Sequence, residues 1–198
     1  MTRSFVLAAL AFATALAAAP RDAAAPATYT IDGTHSSVEF SVRHMMVSNV
    51  KGSFQKVTGT AVYDANNLAA SKLEATIDVN TINTNEPKRD AHLKSPDFFD
   101  TAKYPSMTFQ STRFVKSGDG LKVTGNLTIH GVTKPVTFTV ETTPEVKDAY
   151  GKMRLGASAT TTINRKDFGL TWNKMLEAGG VAVSDEVKLA LDIAFVKN

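Results

Sequence analysis

The chain has 198 residues, of which 43% are hydrophobic and 21% charged, a formal net charge of +3 and no cysteine. This is the composition of one globular domain whose stability comes from its core and not from disulfides. The lysines and arginines form no block, which argues against a nucleic-acid partner.

The first 28 residues predict a leader and a tether that precede the folded domain. Arg3 comes before an apolar run over 5–16, and Ala15-Leu16-Ala17 is a small-x-small cleavage pattern. The apolar run is shorter than the ~20 residues that span a bilayer. We therefore predict a signal peptide at 1–17, cleaved after Ala17, and an Ala/Pro-rich flexible tether at 18–28. The mature protein is then periplasmic or secreted, with one folded domain at 29–198.

The rest of the chain alternates apolar and polar residues, which is typical of strands with one wet face. Short connections at Gly118-Asp119-Gly120 and His130-Gly131 predict antiparallel hairpins. Eight strands are predicted, at about 36–44, 49–64, 71–80, 106–116, 120–130, 132–143, 152–163 and 186–197.

Two longer connections interrupt the strands. Within the first, over 83–100, Glu86-Pro87 predicts the start of a helix, and Leu93, Phe98 and Phe99 could form an apolar patch on a lid. In the second connection, the segment 172–178 predicts a short helix that Gly179-Gly180 stops. When the other connections of a sheet are short, its long connections often contain the functional residues.

The predicted fold class is all-β, an extended eight-stranded antiparallel barrel with short helical segments in the two long connections. Closure removes the sheet edges and turns the apolar stripe inward. Small stripe residues, such as Gly125, Ala75 and Ala157, leave volume for a ligand or mark close packing, and the sequence does not choose between these. With four tyrosines and one tryptophan, the chain lacks the aromatic girdles of a transmembrane barrel.

The sequence offers no catalytic or metal-binding motif. The four histidines have no metal-site spacing, and neither Gly-x-Ser-x-Gly nor Gly-x-Gly-x-x-Gly occurs. His44 ends a strong strand and His92 lies in the predicted lid, so these two could meet at a barrel mouth. We predict a protein that is not an enzyme and that needs no cofactor or metal.

Several motifs occur in the order found in the YceI-like polyisoprenoid-binding family, which the chain resembles from Tyr29 to near its end. The motifs are Phe40-Ser41-Val42-Arg43-His44, Arg89-Asp90-Ala91-His92-Leu93-Lys94-Ser95, Asp97-Phe98-Phe99-Asp100, Gly125-Asn126-Leu127-Thr128-Ile129 and Ile163-Asn164-Arg165 with Asp167-Phe168-Gly169. The resemblance implies a lipocalin-like barrel whose pore takes a long isoprenoid or other amphiphilic lipid, with its tail inside and its head near the mouth. It also implies a secreted or periplasmic, stress-related protein, and it does not imply catalysis.

Candidate ligand-binding residues follow from the stripe and from these motifs. The candidates for the apolar wall around the tail are Phe40, Val42, Phe54, Leu73, Ile77, Phe109, Leu127, Ile129, Phe138, Leu155 and Phe168. The candidates for the head group at the mouth are Arg43, His44, Asp90, His92, Asn164 and Arg165. Each wall candidate could equally be plain barrel core, and the polar candidates could pair among themselves.

The energetics of a long tail favour a carrier. Burying about forty carbons at ~0.8 kcal/mol each gives about 32 kcal/mol relative to water, more than the roughly 18–21 kcal/mol at which non-covalent affinity saturates. A membrane buries the same tail, so exchange between membrane and barrel is near balance. We therefore predict transport, storage or stress-related buffering, with transient membrane contact. An enzyme acting on a bound lipid, a filled structural barrel and a homodimer stay open as alternatives.

Overall fold

The structure, a computed structural model, describes residues 26–177 and 179–198. The predicted signal peptide and most of the predicted tether lie outside these residues. No helix in the described segments is long and apolar enough to cross a membrane.

The described residues form twelve strands, one α-helix and four short 3-10 helices. The strands are β1 (Ala27–Ile31), β2 (Ser37–His44), β3 (Ser48–Phe54), β4 (Val57–Tyr63), β5 (Lys72–Asp78), β6 (Ile82–Asn83), β7 (Ser106–Ser117), β8 (Gly120–Ile129), β9 (Val132–Thr142), β10 (Val146–Lys147), β11 (Met153–Asn164) and β12 (Val183–Lys197). Helix α1 covers Pro87–Lys94, and the 3-10 helices cover Gly33–His35, Leu68–Ala70, Val79–Thr81 and Arg165–Phe168.

The strands form an antiparallel up-and-down barrel. β1 and β2 lie one after the other along the same edge of β12 and together act as one bent strand. β4 pairs with β1 and β3 pairs with β2, so β3 and β4 likewise act as one bent strand. The ring continues through β5, β7, β8, β9 and β11, and it closes where β11 pairs with β12 over 154–164. Counted in this way the barrel has eight strands, which confirms the predicted fold class.

The strand pattern differs from the prediction in two main places. The predicted strand over 49–64 is bent, because the amides of Gln55 and Lys56 leave the ladder and donate to Thr81 Oγ1 at 3.1 and 3.3 Å. A strand that was not predicted, β1, also precedes the first predicted strand, and its Ala27 and Thr28 pair with β4. The five-residue length of β1 conceals its alternation in the sequence.

The first predicted helix is confirmed and the second is wrong. The Glu86 side chain accepts a hydrogen bond from Lys88 N at 2.9 Å, and Pro87 occupies the first turn of α1, where its missing N–H costs nothing. The described residues 172–177, by contrast, are not helical. Asn173 explains why, since its side-chain amide exchanges hydrogen bonds with the Val183 backbone and replaces the helical partners. The chain then reverses through Gly179-Gly180, both with positive φ.

The inward faces of the strands form one apolar interior. Along β8, Leu121, Val123, Gly125, Leu127 and Ile129 are buried, while the polar residues that alternate with them are more exposed. The hairpin that links β8 to β9 turns at His130-Gly131, where φ values of 52° and 74° fit the two-residue turn that the sequence predicts. The prediction that the apolar stripe faces the inside of the barrel is therefore confirmed.

Candidate functional site

The barrel encloses an apolar cavity of about 230 Å³. Its wall extends from Leu93, Phe98 and Leu170 at the end that carries α1 to Tyr29 and Tyr63 at the opposite end. Apart from these tyrosines, the polar residues on the wall are Lys72, Thr142 and Arg165. We call the α1 end the mouth and the other end the base.

Many inward side chains are only half-buried, although they face the interior of the sheet. Phe40, Leu73, Phe109 and Leu191 all have intermediate exposure and all lie on the cavity wall. An inward apolar residue can have accessible surface only where the interior is not filled. The barrel is therefore a container and not a fully packed core.

The small stripe residues divide into two groups. Ala75, Ala157 and Ala159 lie on the cavity wall and leave space beside them. At Gly125, however, a Cβ would clash with the Phe109 ring and would lie 2.5 Å from the Gln110 carbonyl oxygen. The alanines thus contribute volume, while Gly125 allows close packing of an aromatic ring.

The structure places ten of the eleven predicted wall residues on the cavity. They are Phe40, Val42, Phe54, Leu73, Ile77, Phe109, Leu127, Ile129, Phe138 and Leu155. Phe168 is the exception, because it lies in the 3-10 helix that follows β11 and its side chain packs into the core beside the cavity. Whether the ten residues contact a ligand stays a prediction.

Arg165 is the one predicted head-group residue that lies on the cavity wall. It is 4% exposed, and burial lowers its pKa although Asp185 favours the charged form. Nε donates to the Ser184 carbonyl at 2.9 Å. Nη1 donates to the carbonyls of Leu170 at 2.5 Å and Trp172 at 2.8 Å. Arg165 therefore holds the connection over 165–182 against the barrel and places a positive charge at the mouth.

Three other predicted head-group residues lie around the start of β12 and the ends of β2 and β11. Arg43 is exposed, and its Nη2 donates to the Met46 carbonyl at 3.0 Å. Asn164 is also exposed, and its side chain accepts from Lys166 N at 3.0 Å and caps the following 3-10 helix. His44 is half-buried, and the alternation of β2 puts it on the same face as the wall residue Val42.

The two predicted residues on α1 have local partners. Asp90 Oδ1 accepts from the Thr84 amide at 2.9 Å and from the Thr84 hydroxyl at 2.5 Å, which anchors the helix to β6. His92 Nε2 lies 2.9 Å from Asp97 Oδ2. No hydrogen bond joins His92 to His44 in the part of the chain described, so the predicted meeting of the two histidines does not occur there.

An aromatic cluster joins α1 to the connection over 165–182. The His92 ring lies 5.0 Å from Phe98 and 4.9 Å from Trp172, and the latter two rings are 5.1 Å apart, as centroid distances. Phe98, with Leu93 and Phe99, lines the cavity. The predicted apolar lid is thus part of the cavity wall, and Trp172 fastens it at the mouth.

The base of the cavity contains a polar bridge that the sequence did not indicate. The Tyr29 hydroxyl donates to Glu145 Oε1 at 2.6 Å, and Lys197 Nζ lies 3.1 Å from the same oxygen. Burial, helped by the neighbouring Glu145 carboxylate, raises the Tyr29 pKa, and the hydrogen bond from Tyr29 lowers the Glu145 pKa. Tyr29 and Glu145 are 116 residues apart, so only the closed barrel brings them together.

The wall also includes six β12 residues that were not among the predicted ligand-binding residues, namely Val183, Val187, Leu189, Leu191, Ile193 and Phe195. Their alternation with Lys188, Ala190 and Asp192 was the available signal. The stripe identified the inward face correctly but could not tell which inward residues border open space.

An eight-stranded antiparallel barrel with an apolar cavity and a lid at one end is a lipocalin-like barrel. The chain belongs to the YceI-like domain family, which matches residues 29–195. It is 41% identical over 196 residues to Protein YceI of Salmonella newport, covering 98% of this chain and 96% of that protein. A UPF0312 protein of Pseudomonas paraeruginosa is 37% identical over 192 residues, with 97% of each chain covered.

Solved structures show the same fold. The Campylobacter jejuni YCEI protein is 33% identical with a TM-score of 0.67, covering 79% of this chain and 90% of that one. A polyisoprenoid binding domain from Saccharophagus degradans has a TM-score of 0.63 at 17% identity, covering 86% and 98% of the two chains. At that identity the second likeness concerns the fold alone.

Proposed function

We propose that this protein holds a long isoprenoid or similar amphiphilic lipid in its barrel, for transport, storage or stress-related buffering in the periplasm or after secretion. The observation that carries the proposal is the apolar cavity, whose inward side chains are only half-buried. The domain from Saccharophagus degradans, which shares the fold, is described as polyisoprenoid-binding. Membership of the YceI-like family supports the same ligand class.

The distribution of charge supports a tail in the cavity and a head at the mouth. An apolar wall solvates an isoprenoid chain but offers no partner to a polar chain. At the mouth, Arg165 carries a positive charge whose nearest carboxylate oxygen, from Asp185, is 3.5 Å away. At the base, the Tyr29 hydroxyl is already bonded to Glu145. Lys72 is a second cation on the wall, at the base. We assign an anionic or strongly polar head to the mouth because Arg165 lies there beside the lid that Leu93, Phe98 and Phe99 form.

The energetics support exchange rather than permanent retention. A lipid tail is buried in the membrane and in the barrel alike, so the hydrophobic free energy nearly cancels in the transfer. The balance is then set by contacts to the head group and by the ordering of the tail. A barrel of this kind loads and unloads according to the supply of lipid.

Organic extraction of the protein purified from its native compartment, followed by mass spectrometry, tests the proposal. We expect an isoprenoid or similar lipid to be extracted in a fixed ratio to the protein. Repeated extraction of no lipid, together with no binding of added lipid to the stripped protein, would overturn the proposal. Trp172 is the single tryptophan of the chain and lies at the mouth, so its fluorescence reports the added lipid.

A pair of adjacent substitutions on β12 gives a matched control. Leu191 faces the cavity and is half-buried, whereas Ala190 is exposed on the outer face. Leu191→Gln places an amide in the path of the tail and should weaken lipid binding by about 5- to 150-fold, because an unpaired buried amide costs about 1–3 kcal/mol. Ala190→Gln should leave binding unchanged. Equal effects of the two variants would contradict an internal binding site.

We infer that the protein performs no catalysis on the bound lipid. The histidine at the lid, His92, contacts Asp97, Phe98 and Trp172 and is not part of the cavity wall. His92→Ala and His44→Ala should therefore alter lipid affinity at most, with no chemical change in the lipid in either protein. Conversion of the lipid by the unmodified protein, lost in these variants, would refute this inference.

A further inference from the structure

The mouth carries a cluster of exposed apolar side chains that the cavity does not use. Met45, Met46 and Val47, in the turn between β2 and β3, are 49%, 58% and 78% exposed. Met175, which forms a bridge with Val181 beside the turn at Gly179-Gly180, is 79% exposed. We call these four residues the apolar tip.

The two turns form one surface. The Met45 amide donates to the Ala182 carbonyl at 2.8 Å. A Cβ on Gly180 would lie 3.4 Å from Met46 Cγ, so the second turn packs against the first. The apolar tip is also continuous with the cavity, because Val42 and Val183, just inside the two turns, belong to the cavity wall.

The backbone of the tip gives a second and independent observation. Met45 and Met46 have φ values of 49° and 60°, in the left-handed region that glycine, asparagine and aspartate adopt most readily. Two consecutive methionines in this region carry a conformational cost and a solvation cost together. Strained backbone that displays an apolar side chain is typical of functional surfaces.

The size and shape of the tip indicate what it contacts. A stable dimer buries ~20–30 residues on each side, whereas the tip has four side chains on two projecting turns. Methionine is flexible and adapts to a fluid partner. Arg43 and Lys174 flank the tip, with Glu177 as the carboxylate on the same turn. Projecting apolar residues beside cations fit the headgroup region of a bilayer better than a flat protein face.

We propose that the apolar tip inserts into the surface of a lipid bilayer and opens the cavity towards it, so that a lipid passes between membrane and barrel without crossing water. The inference rests on the proposed lipid-binding function for its purpose, but the membrane contact can be measured by itself. The chemistry of the partner is a lipid surface that contains anionic headgroups.

The test compares two double variants in vesicle flotation. The full mature protein is mixed with vesicles of equal parts phosphatidylethanolamine and phosphatidylglycerol. M46N with M175N removes two apolar side chains without adding charge, and asparagine tolerates the left-handed backbone at Met46. We expect the partition coefficient to fall by about a hundredfold, since each of the two methionines contributes about tenfold when buried.

The control removes exposed apolar side chains at the opposite end of the barrel. Val146 and Tyr150 are 58% and 90% exposed near the base, so V146N with Y150N should leave partitioning unchanged. No partitioning of the unmodified protein, or equal partitioning of both double variants, would overturn the proposal. A dimer that sediments as such and is lost in M46N with M175N, with no effect of vesicles, would also overturn it.

Binding of farnesol in solution separates this inference from the proposed function. If all the proteins bind farnesol equally, as read from Trp172 fluorescence, a loss of flotation in M46N with M175N is a loss of docking alone. If the unmodified protein binds neither farnesol nor its extracted lipid, the proposed function fails, whatever the flotation shows.

Discussion

Enlarging Ala157 should stabilise the protein, which is the opposite of the usual result in a packed core. Ala157 lies on β11, is half-buried and faces the cavity. At about 24 cal/mol per Å³, a cavity of about 230 Å³ costs about 5.5 kcal/mol relative to a filled interior. Part of this free energy can be recovered by adding carbon atoms at the wall.

The expected gain follows from the number of carbons added. Ala157→Leu adds three carbons, or about 2.4 kcal/mol at ~0.8 kcal/mol each, less about 0.5–1 kcal/mol for ordering the longer side chain. The net gain of about 1.5–2 kcal/mol corresponds to a rise in Tm of about 3–8 °C. Ala157→Val should give a smaller gain of the same sign. Both variants should bind lipid more weakly, because they occupy its space.

Urea unfolding of lipid-free protein measures these changes, and Gly125 provides the matched control. A Cβ at Gly125 meets the Phe109 ring and the Gln110 carbonyl, so Gly125→Ala should destabilise the fold by about 1–3 kcal/mol. If Ala157→Val and Ala157→Leu destabilise the protein about as much as Gly125→Ala does, there is no open space beside Ala157. The argument that the barrel is a container is then refuted.

Three further predictions concern the polar groups around the barrel. Arg165→Met should lower the free energy of unfolding in urea by about 3 kcal/mol, since several buried carbonyls lose their hydrogen-bond donor. An unchanged urea midpoint would contradict the conclusion that Arg165 holds the connection over 165–182 against the barrel. Tyr29→Phe should cost about 1–2 kcal/mol and raise the Glu145 pKa in an NMR titration; no change in that pKa would refute the bridge. Hydrogen bonds from Thr34, then from Arg154 and His35, lower the pKa of Asp32. The stability that Asp32 contributes is therefore complete above its unfolded pKa of about 3.9 and is lost as the pH falls towards its folded value. Arg154→Met should flatten this acid dependence, and an identical slope would argue against the ion pair.

The barrel could be predicted from the sequence because its main signal is local. Alternation along β8 and β9, with a two-residue turn at His130-Gly131, specifies a hairpin without reference to the rest of the chain. Eight such strands have few ways to bury one apolar face. The short strand β1 was not predicted, because five residues give too few alternations to recognise.

The site was predictable only in part, because its decisive features depend on distant residues. Asn164 and Asp90 have the polar character expected at a mouth, yet their oxygens accept hydrogen bonds from Lys166 N and from Thr84. Phe168 fits the apolar stripe in composition but follows the end of β11. The segment 172–178 resembles a helix until the Asn173 side chain pairs with Val183. None of these contacts leaves a periodic signal in the sequence.

The last strand completes the barrel. β12 pairs with β11 along one edge and with β1 and β2 along the other, and Asn198 N donates to the Thr28 carbonyl at 2.9 Å. Until β12 is available, the sheet has two unpaired edges and its apolar face is open to water. The cavity therefore does not exist in the growing chain. Once β12 can pair, the barrel must close quickly, before the open edges pair with those of another molecule.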